Sequence, residues 1–293
     1  MGIVIRQSAK ASIVTYLGTA IGTFNVIFLY NQFLSQAQVG LIAGALVSIP
    51  LIFASFTQLG IPHIAVRFFP HFDDPAKGHN GFFGFLMIAP LFGLSLFVIG
   101  YLSLHEVFNQ IYSENSPLLP TYFYYMIPLT ASYLYMTVLE AYARVHLRIV
   151  VPAIIRELFL RISNGFLILA FGLGYIDFHQ LIQCITLSYL VAVFGFLIYI
   201  KQLKRFYTRL DFSFLRQPIF KEMIGYGGWV LLAGASFTLI QHIEKLMLPA
   251  YAGGLSTTAI FDINSRMGLM IAIPRNVIAA ISTPLLAQAW KRN

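Results

Sequence analysis

Eight stretches of about twenty residues, each dominated by apolar side chains, limit this chain to very few folds: roughly 11 to 32, 39 to 60, 82 to 104, 119 to 141, 152 to 174, 180 to 200, 224 to 248 and 258 to 289. A helix rises about 1.5 Å per residue, so about twenty residues cross a hydrocarbon core about 30 Å thick. In hydrocarbon every backbone polar group must be bonded within the protein, which leaves helices or a closed barrel. No stretch alternates polar and apolar residues for long, so helices are expected. Of the 293 residues, 58% are hydrophobic and 10% charged, against about 25% charged in soluble domains. The expected fold is an all-α polytopic membrane protein with about eight transmembrane helices, the last one kinked at Pro274.

The cations test that count. Arg6 and Lys10, Arg67 and Lys77, Arg144 and Arg148, the set Lys201, Lys204, Arg205, Arg209, Arg216 and Lys221, and Lys291 with Arg292 all fall at alternate ends of the spans. The intervening connections near Asn31 to Gln38, His105 to Pro117 and Tyr175 to His179 hold no Lys or Arg. Cytoplasmic loops carry the excess of Lys and Arg, so both termini are expected in the cytoplasm, as an even span number requires.

The segment 201–221 mixes cations with aromatics and reads as a cytoplasmic linker lying on anionic headgroups rather than as a nucleic-acid site. It divides a six-helix first transmembrane lobe, 1–200, from the start of a second lobe, 222–293, with about two helices. A shift of 221 residues sets "YNQFLS" at Tyr30 against "YAGGLS" at Tyr251, each ahead of a long span. Internal repeats of this kind are a habit of transporter folds, whose substrates bind at the repeat interface.

Charge inside the spans is the functional signal. "VPAIIRELFLRISNGFLILAFGLG", Val151 to Gly174, holds Arg156, Glu157 and Arg161. Arg161 lies about 13 Å into that helix, near mid-core. Glu157, Arg161, Asn164 and Gly165 share one face by their spacing. A charge at that depth costs at least about 2.5 kcal/mol, so it is expected to face a bundle interior or a watery cavity. Two readings stand: Arg161 offers a cation to an anionic substrate, or Glu157 and Arg161 form a self-neutralising structural pair. Further candidates are Glu244 and Lys245, on one face with Gln241 and roughly 27 Å along their helix, and Arg266, four residues after Asp262, with Arg275 beyond it. Lys245 also admits a snorkelling reading. "GTAIG" at Gly18 to Gly22 and "GLIAGALVS" at Gly40 to Ser48 place small residues four apart, a pattern that lets helices approach closely.

The catalytic and metal classes find little. A single cysteine, Cys184, excludes an intrachain disulfide framework. No P-loop, HExxH or zinc spacing occurs, so no cofactor, metal or enzyme activity is expected. His63, His71 and His79 recur every eight residues and read as solvated.

Four stretches together, "IRQSAKASIVTYLGTAIGTFN", "RFFPHFDDPAKGHNGFFGFL", "DFSFLRQPIFKEMIGYGGWVLLAG" and "RNVIAAISTPLLAQAWKR", resemble bacterial polysaccharide biosynthesis membrane proteins. These are oligosaccharide flippases of the multidrug, oligosaccharidyl-lipid and polysaccharide exporter superfamily. The resemblance implies a two-lobed bundle in the bacterial cytoplasmic membrane that moves a glycan linked to a polyprenyl diphosphate, with inward-facing cations holding the anion. Such proteins usually have 12 to 14 spans, so this chain is expected either to be part of a longer protein or to complete its cavity as a homo-oligomer. The alternatives are a small-cation or drug antiporter of the same superfamily and an integral-membrane glycosyltransferase or polymerase using the same lipid carrier.

Overall fold

The computed structural model describes residues 2–74, 79–207, 213–251 and 253–268. It is 88% helical, and no strand forms among the described residues. Helix α1 comprises Gly2–Phe24, a π-helical turn at Asn25–Tyr30 and Asn31–Phe33. Ser35 then caps the next helix, accepting from the Gln38 amide while the Gln38 side chain accepts from the Ser35 amide. That reciprocal pair satisfies two donors a helix start leaves unbonded. Helix α2, Gln36–Thr57, carries its own π-helical turn at Gly40–Ala45. Gly60, in the left-handed region at φ 69°, ends it and starts α3, Ile61–Phe72, with Pro62 in the first turn. There follow α4, Phe82–Ser103, α5, His105–Tyr112, and α6, Met126–Val145. Helix α7 runs continuously through Val150–Ala153, a π-helical turn at Ile154–Phe159 and Leu160–Gly172. Asp177 caps α8, Phe178–Gln202, by the same reciprocal bonding with Gln180. Helix α9 spans Pro218–Met247, and residues 254–268 form α10.

Five helical stretches are long and apolar enough to cross a membrane: Arg6–Phe33, Gln36–Thr57, His79–Ser103, Phe178–Gln202 and Pro218–Ala250. Their outer surfaces carry large apolar side chains such as Phe92, Ile99, Phe194, Trp229 and Ile240. Water opposes such a surface and hydrocarbon does not, which marks a membrane protein. Three of the eight expected stretches fall outside this set. The one at 119–141 breaks into Leu118–Thr121, Phe123–Tyr125 and then α6, which holds Glu140 and three tyrosines. The one at 152–174 carries the three charges of α7. The one at 258–289 continues past residue 268, so its second half, Pro274 included, lies outside the described residues.

Helix α6 is central, packed against α2, α3 and α8, while α7 sits between α1 and α8 and α9 lies along α2 and α3. The small-residue patterns are where helices meet most closely. A Cβ at Gly18 would stand 2.6 Å from the Glu157 carbonyl oxygen, and one at Gly40 1.8 Å from that of Leu255. Gly44 faces the Thr258 side chain. Helices in hydrocarbon associate through such close van der Waals approach, because burying apolar surface gains little there.

The connections gather at two ends. At one, Tyr112 donates to the Leu246 carbonyl (2.8 Å), Asn115 to Ala250 (3.0 Å) and Ser116 to Pro249 (2.6 Å). This end also holds the start of α10, since a Cβ at Gly254 would touch the Asn115 carbonyl. At the other, cation-rich end, the Arg67 guanidinium stacks 4.3 Å from the Tyr226 ring centre and pairs with Glu222 at 3.8 Å.

Two readings of this basic end change. Helix α8 reaches Gln202 and α9 begins at Pro218, so the connection is shorter than 201–221 at both ends. Within it Phe214 is buried, 2% exposed among Phe72, Phe85 and Phe220, while Phe206 lies against Phe83 and stays 40% exposed. His79 is fully buried, its ring against Phe69, Tyr207 and His146, whereas His63 and His71 are exposed as expected. Regular spacing in sequence concealed this, because His79 lies beyond the end of α3 and folds back on it.

Candidate anion-binding cavity

A cavity of about 270 Å³ opens between α1, α2, α6, α7, α8 and α10. Its lining includes Arg156, Glu157, Arg161 and Asn164 of α7, Arg266 of α10, and Tyr133 and Tyr189 of α6 and α8. All three π-helical turns contribute: Asn25, Val26 and Tyr30, then Ile42 and Ala43, then Arg156 and Glu157. A π turn carries one extra residue per turn and re-aims side chains locally, and such turns recur at functional sites.

Two glycines make room for the polar groups. A Cβ at Gly22 would stand 2.9 Å from Arg161 Cδ, and one at Gly165 3.0 Å from Asn25 Oδ1. Asn25 Nδ2 donates to the Arg161 carbonyl at 2.7 Å, tying α1 to α7 at this level. Tyr133 donates to the Tyr189 hydroxyl at 3.0 Å.

Every lining arginine has a carboxylate. Arg156 donates to Glu140 at 2.8 Å, Arg161 to Glu157, and Arg266 to Asp262 at 2.6 Å. Glu140 also receives Arg144 at 2.9 Å, and Asp262 also receives Lys245. Five cations thus share three carboxylates, leaving two positive charges in excess. Asp262 is completely buried, whereas the Arg161 side chain keeps 31% of its surface and Arg266 29%. A guanidinium has five N–H donors, so one carboxylate leaves several free. Arg156 and Arg266 are both close enough to Arg161 to act on it electrostatically. The buried Oδ1 of Asn164 has no hydrogen-bond partner among the described residues. Orphaned buried polar atoms are rare and call for a water, ion or ligand.

The structure therefore gathers four of the sequence candidates, Glu157, Arg161, Asn164 and Arg266, around one cavity, and the Glu157–Arg161 pair forms as well. Lys245 stands outside the lining and acts through Asp262. Glu244 is exposed, away from the cavity. Successive residues of a helix point about 100° apart, so turning Lys245 to Asp262 turns Glu244 away. Arg275 lies outside the described residues. Asp262, Glu140 and Arg156 complete the charge network. Their signal was present as ionisable residues within apolar runs. Asn25, Tyr133 and Tyr189 had no such signal, being ordinary in a helix until the tertiary fold faces them inward.

Among the described residues no cluster of three His, Cys, Asp or Glu side chains stands close enough to hold a metal ion. Comparison with protein-family models, with curated proteins and with solved structures finds no match to this chain.

Proposed function

We propose that this chain is a transporter, or the amino-terminal part of one, that carries the anionic head of a lipid-linked glycan across a bacterial cytoplasmic membrane. In this reading the chain crosses the membrane eight times with its basic end in the cytoplasm. The observation that carries it is the convergence of Arg156 and Arg161 of α7 with Arg266 of α10, helices far apart in sequence, on one cavity whose described lining holds a single carboxylate, Glu157. Arg161 and Arg266 lie about 17 to 18 Å along their helices from where each begins, which is mid-depth. Cations that deep are expensive and usually mark a substrate path.

A diphosphate fits this chemistry, because planar guanidinium forks bind phosphate oxygens in pairs. At about 270 Å³ the cavity is just below the roughly 300 to 1,000 Å³ typical of ligand pockets. It suits a head group, with glycan and lipid tail projecting beyond it. The resemblance to oligosaccharide flippases points the same way. The antiporter alternative is weaker, because Glu140, Glu157 and Asp262 are each already held by a cation and offer no free carboxylate to a cationic drug.

The test is movement of a fluorescent polyprenyl diphosphate oligosaccharide across proteoliposomes. Losing one charge-assisted contact costs about 1.5 to 3 kcal/mol, so Arg161→Ala and Arg266→Ala should each slow movement roughly tenfold or more. Wild-type rates in both variants, with normal insertion, would refute the site.

A further inference from the structure

The basic end holds a second hollow, separate from the arginine cavity. It is about 460 Å³ and is lined by Arg6, Gln7 and Lys10 of α1 and by His146, Leu147 and Arg148 in the turn between α6 and α7. Arg6 and Lys10 are one helical turn apart and so project from one face of α1. None of the three cations has an ion-pair partner among the described residues, unlike every arginine of the central cavity. Three polar atoms here are buried and have no hydrogen bond among the described residues: Gln7 Oε1 and both ring nitrogens of His146.

The turn is also held in an uncommon backbone. Leu147 takes φ 57°, a left-handed conformation that side-chain-bearing residues seldom adopt. Two hydrogen bonds fix it, Leu147 N–H to Arg144 and Arg148 N–H to Ala143, the usual closure of a helix end. Glycine is the ordinary choice at such a position. Leucine instead leaves an apolar side chain 55% exposed on the rim of a cationic hollow. Cations below an exposed apolar rim, beside the start of a span, match a phospholipid, whose phosphate is anionic and whose acyl region is apolar.

We propose that this hollow is a phosphate site, formed by Arg6, Lys10 and Arg148 with Gln7 and His146, which takes the headgroup of an anionic phospholipid. The site staples the first helix to the α6–α7 turn. It stands independently of the transport reading, since it uses none of the central arginines.

The experiment is native mass spectrometry of the detergent-purified chain titrated with phosphatidylglycerol, with phosphatidylcholine for comparison and with inorganic phosphate as competitor. A cation near an anionic lipid surface is worth about 1 kcal/mol, or roughly fivefold. Arg148→Gln should weaken phosphatidylglycerol binding about fivefold and Lys10→Gln with Arg148→Gln about thirtyfold. Arg148→Lys should retain binding, showing that the fold survives change at this site. A control pair, Lys201→Gln with Lys204→Gln, removes exposed cations from the same end of the molecule outside the hollow and should change binding less than twofold. Competition by millimolar inorganic phosphate, with the same dependence on Lys10 and Arg148, would keep the phosphate site and make its occupant soluble. Equal losses in the hollow variants and the control pair, or no loss in either, would overturn the proposal.

Discussion

Gly22 of α1 and Arg161 of α7 occupy one layer of the bundle, with the glycine supplying the space in which the guanidinium lies: a Cβ at residue 22 would stand 2.9 Å from Arg161 Cδ and 3.2 Å from a terminal nitrogen. One turn earlier, Gly18 faces the backbone of Glu157 at 2.6 Å. A side chain can swing away and a helix backbone cannot. Gly22→Ala should therefore leave the thermal midpoint in detergent nearly unchanged while weakening pyrophosphate binding severalfold. Gly18→Ala should cost about 1 to 3 kcal/mol of stability by overpacking. Calorimetry of both variants checks the order, and equal thermal midpoints would contradict it.

The pairing of α2 with α10 gives a sharper contrast. Gly40 meets the Leu255 carbonyl at 1.8 Å for a notional Cβ, while Gly225 in α9 has nothing within 4 Å. Alanine is a better helix former than glycine by roughly 1 kcal/mol. Gly225→Ala should be neutral or stabilising, and Gly40→Ala should release α10, detectable as faster proteolysis after residue 251. Protection of α10 in Gly40→Ala would count against the close contact.

Asp262 joins Lys245 and Arg266 with no exposure of its own. Removing one partner of a buried ion pair leaves an uncompensated charge, at about 3 to 5 kcal/mol. Asp262→Asn should lower the thermal midpoint more than any other single change in the network. Combining it with Lys245→Met should recover part of the loss, since the stranded ammonium is removed. An additive double variant would show that the two side chains are not coupled.

His146 gives a pH signature at the basic end. Burial against the rings of Phe69, Tyr142 and His79, with Arg205 adding repulsion and Asp73 opposing it, pushes its pKa down to about 4. Above the ordinary value near 6.5 the imidazole is neutral in folded and unfolded chains alike. Between about 6.5 and 4 the unfolded chain takes up a proton that the folded one refuses, so stability contributed by His146 falls as the pH falls through that window. Imidazole NMR should place the His146 midpoint near 4, and a midpoint near 6.5 would exclude a packed ring. An anion in the neighbouring hollow should move it upward, because it favours the imidazolium.

Much of this architecture was legible in the chain itself. Apolar runs of bilayer length reported helices, because hydrocarbon leaves the backbone no other partner. Small residues four apart marked the contacts at Gly18, Gly22, Gly40 and Gly44, because close approach needs missing side chains. The charges set within apolar runs, Glu157, Arg161 and Arg266, stood out for their cost. Composition and spacing thus settled the class of fold and singled out the few residues too expensive to face lipid. Which of them meet was set by packing: α10 turns Arg266 toward Arg161, Asp262 rather than Glu244 holds Lys245, and Asn25, Tyr133 and Tyr189 face the same space. Those choices depend on how helices distant in the chain rotate against one another, and a helix apolar on every side, as α9 largely is, carries no stripe to fix that rotation.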